Sequence, residues 1–223
     1  MTVFLAAFRF QLTISRSAPH HLHVLATTPF LTVVFFAISG STSEEAATTC
    51  VLAPVMIALW TGSLTVAGEM IGDDRANGRL EAIVATPARL SVVVTARLCA
   101  SGILALACFV EAYAVAGLFY GKWLSVQHPF QFALVAFVTV LAMAGTATTL
   151  SAVFVLVPSA RTVQNTLTYP FYLLGGVLLP VSMLPEWVRP VSRLVFLSWS
   201  GDLLRDTFAA PEVHQFTGRL VVV

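Results

Sequence analysis

From Pro129 to Ala160 the chain runs for 32 residues without a single Asp, Glu, Lys or Arg. A run of that kind fits hydrocarbon, because a layer roughly 30 Å thick is crossed by about 20 apolar residues rising roughly 1.5 Å each. Residues 24–43, 46–68 and 162–181 are likewise free of charge. Arg97 and Lys122 bracket one more apolar stretch, interrupted only by Glu111. The expected spans lie near 24–43, 46–68, 98–120, 130–157 and 162–181, and Arg219-Leu220-Val221-Val222-Val223 reads as the start of a sixth. With 57% hydrophobic and 10% charged residues, the composition falls outside the range of water-soluble domains. The expected fold is an all-α, multi-pass protein of the cell membrane: a six-helix bundle with five complete spans and the sixth only begun.

Several function classes drop out. Twelve Lys and Arg scattered among loops, at a net charge of +1, cannot form the basic face that nucleic acid requires. Gly121-Lys122 is followed by Trp123 and lacks the glycine of a phosphate loop, so the chain does not hydrolyse ATP by that route. Ser101, between Ala100 and Gly102, would need a base at membrane depth to act as a nucleophile, yet His20, His21, His23, His128 and His214 lie at span edges or in loops. No catalytic residue is expected. The His20, His21 and His23 cluster reads as an interfacial polar flank, so no metal site and no cofactor are expected. Cys50, Cys99 and Cys108 give no disulfide framework, Cys99 and Cys108 falling on opposite sides of one helix. The N-terminal stretch has Arg9 and Arg16 within and after its apolar part and no small-residue cleavage site, so it reads as retained.

Arginine placement sets the expected orientation. Arg9, Arg16, Arg75, Arg79, Arg89, Arg97 and Arg161 fall on one side, whereas the loop after the first span has no Lys or Arg and the loop after the third has only Lys122. The N-terminus and the segment between spans two and three are therefore expected in the cytoplasm. Arg189, Arg193 and Arg205 run against that pattern, and residues 182–218 are expected to form a small extracellular cap. Residues 1–21 form an expected interfacial helix, with Arg9 and Arg16 on one stripe and Phe4, Phe8 and Leu12 on an apolar one beside it; residues 22–223 form the transmembrane domain. Ala144, Gly145, Ala147, Thr148, Thr149 and Ser151 make a small-residue surface suited to close helix packing.

Charge is concentrated in the segment from Gly68 to Arg89, which holds Glu69, Asp73, Asp74, Arg75, Arg79, Glu81 and Arg89. A helix leaving the membrane at Gly68 is expected to break at Asn77-Gly78 and give way to a short helix from Arg79 to Ala85, stopped by Thr86-Pro87. Leu80, Ile83 and Val84 share a face of that short helix while Arg79 and Glu81 project elsewhere, which suits docking on another cytoplasmic protein.

The order Glu69, Arg75, Gly78, Leu80-Glu81 and Thr86-Pro87 resembles the cytoplasmic loop of ABC-2 type transporter permeases. Asn165, Pro170, Gly175-Gly176, Pro180, Leu184-Pro185-Glu186-Trp187 and Pro190 resemble the same family's fifth span and following extracellular segment. Arg79 stands where the family usually has a small hydroxyl residue. The resemblance, running from about Pro29 to Arg205, implies six helices per subunit, two permease subunits side by side, and separate ABC ATPase subunits below that carry the phosphate loop and bind ATP and Mg. It makes Glu69, Asp73, Asp74, Arg75, Arg79 and Glu81 the candidates for coupling to the ATPase.

For the transported molecule, the scarcity of polar residues in the spans points to a hydrophobic or amphipathic small molecule, such as a drug, antibiotic or lipid-like compound. Glu111, Tyr113 and Asn165 are the candidate residues of its path. The alternatives are a polysaccharide or lipid-linked glycan exporter, with Phe109, Tyr113 and Tyr120 as a thin aromatic face, and a membrane scaffold or sensor without transport. A gradient-driven transporter would call for several ionisable groups within the membrane, and Glu111 is the only acid deep inside a span.

Overall fold

The computed structural model describes residues 2–17, 23–40, 43–157, 160–178, 181, 184–209 and 216–223. Among them every regular element is a helix: α1 (Thr2–Ser17), α2 (His23–Ser39), α3 (Glu44–Ala76), α4 (Leu80–Val84), α5 (Leu90–Ala105), α6 (Ala107–Tyr120), α7 (Pro129–Leu156), α8 (Ala160–Leu174), α9 (Arg189–Ser192), α10 (Phe196–Ala209) and α11 (Phe216–Val222). Three helical runs are long and apolar enough to cross a membrane: Glu44–Asp74, Leu90–Tyr120 and Pro129–Phe154.

Helix α3 is the axis. At 33 residues it is about 50 Å long, some 20 Å more than hydrocarbon requires. Helices α2, α5, α6, α7, α8 and α10 all pack on it, and Val55 and Trp60 at its centre are completely buried. The surplus length carries Glu69, Asp73, Asp74 and Arg75, which therefore sit on helical turns. The helix stops where expected, because Gly78 takes the left-handed backbone (φ +64°) that lets Arg79 N–H return to the Asp74 carbonyl at 2.8 Å.

The other expected boundaries shift by intelligible amounts. Helix α2 ends at Ser39, ahead of Gly40 with φ +55°, where a span to residue 43 was expected. The third apolar stretch begins at Leu90 and divides at Leu106 into α5 and α6. Helix α6 stops at Gly121 (φ +63°), with Lys122 N–H bonded to the Ala116 carbonyl at 2.9 Å, and Pro129 opens α7.

One expectation is corrected outright and another is filled in. The helix expected over 162–181 ends at Leu174, because Gly175 and Gly176 (φ +63°) turn the chain; its 15 residues reach only about 22 Å, less than a bilayer. The stretch expected as an extracellular cap includes α10, which packs on α3 and α7 and buries Leu197, Leu203 and Leu204. Gly175 allows this, since a Cβ there would meet the Phe171 carbonyl and the Leu197 side chain. Phe171 from α8 stacks on Trp60 at 4.5 Å between centroids, and Phe196 from α10 lies 6.2 Å from it, so both short helices meet at the middle of α3.

Candidate functional site

The charged segment is built around Asp74. On the last turns of α3 it faces inward, where Arg97 of α5 donates to its Oδ2 through Nη1. The same guanidinium donates from Nε to Gln11 Oε1 of α1 at 2.8 Å and lies 5.4 Å from the Phe10 ring centroid. Three helices are thus held by one buried cation whose hydrogen bonds go to a carboxylate and an amide. Arg79 approaches from outside, its Nε 3.4 Å from Asp74 Oδ1 in an ion pair without hydrogen-bond geometry.

This arrangement divides the candidate coupling residues. Asp74 lies beneath the surface, so it cannot touch a partner directly; the physical reason is Arg97, whose buried charge needs a counter-ion. Glu69 is joined to Arg161 at the start of α8, Nη2 to Oε1 2.6 Å. Asp73 is half-buried, Glu81 is exposed, and the Arg75 side chain lies outside the described residues. Exposed charge at this end includes Glu81, the outer part of Arg79, Arg89 and Arg161.

Beside them runs a groove of about 540 Å³ lined by Val3, Ala6 and Phe10 of α1, Ile83 of α4, Pro87, and Val93 of α5. Sequence reasoning missed it. Against the rest of the protein helix α1 buries Ala7, Gln11 and Ser15. Gln11 is drawn in by Arg97, which leaves Val3 and Phe10 to flank the groove. The signal available was Arg97 itself, a cation followed by 13 uncharged residues that needs a partner once folded.

The expected path residues are not brought together. Tyr113 and Glu111 lie on α6, which packs on α2 and α3; Asn165 lies on α8, which packs on α3 and α7. Tyr113 donates its hydroxyl to the Leu124 carbonyl at 3.0 Å and borders an apolar cavity of about 240 Å³ with Phe109, Val110, Phe132 and Phe208. Glu111 is half-buried, forms no ion pair among the described residues, and leaves Oε2 without a hydrogen-bond partner.

Helix α8 has the opposite arrangement from an ordinary lipid-facing helix. Its inner side places Gln164 on Gly68, where a Cβ would overlap the amide, and joins the Tyr172 hydroxyl to Thr61. Its outer side exposes Thr162, Asn165, Thr166 and Tyr169, the last at 74%. At the far end, Arg205 of α10 donates to the Gly176 carbonyl at 2.7 Å, and Asp202 pairs with Arg205 at 3.5 Å and Arg193 at 3.2 Å, fastening the turn after α8 to α10.

Among the described residues no catalytic set emerges. Ser101 borders a cavity of about 30 Å³ with Ser15 and Ser63, and no titratable side chain lines it. Among the described residues no group of His, Cys, Asp and Glu is placed to hold a metal ion; His20 and His21 lie outside the described residues.

The family model for the ABC-2 type transporter matches residues 8–209, which takes in the charged segment, α8 and α10. Comparison with curated proteins gave no match. The chain belongs to the ABC-2 type transporter family and is a multi-pass membrane protein.

Proposed function

We propose that this ABC-2 type membrane subunit exports a hydrophobic or amphipathic small molecule, working as a pair of permease subunits on separate ATPase subunits that bind ATP and Mg. The observation that carries the reading is the outward face of α8. Polar side chains at membrane depth are costly against lipid and are kept where they line a water-filled cavity or meet protein. Thr162, Asn165, Thr166 and Tyr169 face out on a helix that runs along α3 from Glu69, at the charged end, toward Trp60 at its middle. Two such faces opposed across a subunit pair enclose a polar path.

The charged segment supplies the drive. The arginine asymmetry places it in the cytoplasm, where Glu81, the exposed part of Arg79 and the groove beside Ile83 form the surface for the ATPase. Arg97 makes α1, α3 and α5 one unit behind that surface, and Arg161 with Glu69 carries the connection to α8. Closure of the ATPase on α4 is then transmitted to the helix that borders the path.

The reading is tested by cysteine accessibility in a background with Cys50, Cys99 and Cys108 replaced. Asn165→Cys should react with a water-soluble methanethiosulfonate in intact membranes, whereas Phe137→Cys, exposed on the apolar outer face of α7, should not. A silent Asn165→Cys beside a reactive control in the Gln127 loop would remove α8 from the path.

A further inference from the structure

We infer that the gap between α6 and α7 is a binding site for the end of a phospholipid acyl chain, entered sideways from the bilayer in the half of the membrane away from the charged segment. Both helices pack on α3, and the cavity of about 240 Å³ between them has Val51 of α3 as its floor. Its walls are aromatic. Phe109 of α6 meets Phe132 of α7 edge to face at 5.2 Å between centroids, and Phe132 meets Phe208 of α10 in the same way at 5.4 Å. Among the described residues of the lining the one polar side chain is Tyr113, whose hydroxyl is committed to the Leu124 carbonyl at 3.0 Å. That bond folds the segment after α6 back over the cavity, where Val126 covers it, and His128 N–H donates to the Thr207 carbonyl at 3.2 Å, tying the same segment to α10.

The side that stays open is marked by Val110, which borders the cavity and is 70% exposed on a run of helix long and apolar enough to cross the membrane. Val110 lies ten residues before the end of α6 at Tyr120, about 15 Å along the axis, or half of a hydrocarbon layer roughly 30 Å thick. A lipid whose headgroup sits at that end of α6 therefore brings its terminal carbons, not its ester, to the opening. An apolar cavity of about 150 Å³ in a soluble protein stays dry yet admits benzene, so this larger one has room for a run of methylenes. Water would find no hydrogen-bonding side chain free to hold it, and a void would leave the ring edges without dispersion partners. A headgroup or a charged solute would give up its hydration for nothing in return. Acyl-chain ends are the hydrocarbon that the bilayer supplies at this depth.

The test uses the full chain in nanodiscs that contain one of two phosphatidylcholines, with a diazirine either at the end of an acyl chain or beside its ester. Mass spectrometry compares labelling of Phe109, Val110, Tyr113 and Phe132 with that of Phe137 and Leu141, which are exposed on α7 and report lipid in ordinary contact with the surface. The chain-end probe should label the cavity residues at least fivefold more than Phe137 and Leu141, and the ester-side probe should show no such enrichment. Val126→Trp, which fills the cavity, and Val110→Trp, which obstructs its opening, should each bring the labelling down to the level of Phe137. Val110 is exposed, so its variant keeps the fold and decides the matter if Val126→Trp does not yield a monodisperse protein. No enrichment with the chain-end probe, equal enrichment with the ester-side probe, or enrichment that survives Val110→Trp would each overturn the inference. So would loss of the enrichment on adding dodecyl glucoside with labelling of Phe137 and Leu141 unchanged, which would give the site to the tail of a single-chain amphiphile instead.

Discussion

Asp74 and Arg97 form an ion pair whose side chains are 3% and 5% exposed, although they lie on different helices at the charged end of a membrane protein. Two full charges are kept out of solvent there only because each satisfies the other and Gln11 takes a further guanidinium hydrogen. Removing one partner strands the other, a loss of about 3–5 kcal/mol, whereas replacing both with apolar side chains of similar volume is often neutral. Arg97→Met should therefore lower the thermal midpoint in nanodiscs by several degrees, and Asp74→Leu added to it should recover most of the loss. A double variant less stable than the single one would refute the pairing argument.

Coupling should depend on the charges outside that pair. Arg79 and Glu81 reversed together should weaken co-purification of the ATPase or uncouple hydrolysis from export, with membrane insertion unchanged. Exposed charge contacts are worth only about 0–1 kcal/mol each, so reversal of both is needed for a readable effect. Ile83→Asp, which places a charge in the groove, should act in the same direction. Retained association and export in both variants would exclude this surface as the dock.

The elements legible in the sequence are those with a local cause. Asn77-Gly78 ends α3 because the left-handed backbone favours glycine, and Thr86-Pro87 follows α4 because proline cannot extend it. The pairing of Asp74 with Arg97 was hidden because a helix apolar on nearly every side has no periodicity to show which face turns inward, and 23 residues separate the partners. Helix α10 was hidden by composition: Ser198, Ser200, Asp202 and Arg205 interrupt its apolar residues, within the stretch expected as an extracellular cap. Its buried Leu197, Leu203, Leu204 and Phe208 do follow helical spacing, a signal that was present. The polar face of α8 was half legible, since Asn165 stood out but the direction it faces is set by Gln164 and Tyr172 docking on α3.

That docking fills the space over Gly68 with the Gln164 amide. Gly68→Ala should force the buried Gln164 side chain from its place, because the added Cβ would overlap that amide. Overpacking of this kind costs about 1–3 kcal/mol. Adding Gln164→Ala opens the space and should restore the thermal midpoint to that of the Gln164→Ala single variant. If Gly68→Ala is harmless by itself, the helices are not in the close contact described.

Glu111 separates two views of how the substrate is recognised. As the only acid deep in a span, it would be the natural contact for a cationic substrate, and its insertion costs about 2.5–3.5 kcal/mol on biological scales. The structure gives it no ion pair among the described residues and leaves Oε2 without a hydrogen bond, on a helix packed against α2 and α3. Glu111→Gln keeps the shape and the hydrogen-bonding capacity but cannot carry charge. With the path bordered by α8 and not by α6, export of neutral and cationic amphiphiles should each stay within about twofold of the parent. Glu111→Leu should go further and raise the thermal midpoint, since it removes a buried carboxyl oxygen, Oε2, that has no hydrogen-bond partner. Selective loss of cationic export in Glu111→Gln, with neutral export intact, would move the recognition site from α8 to α6.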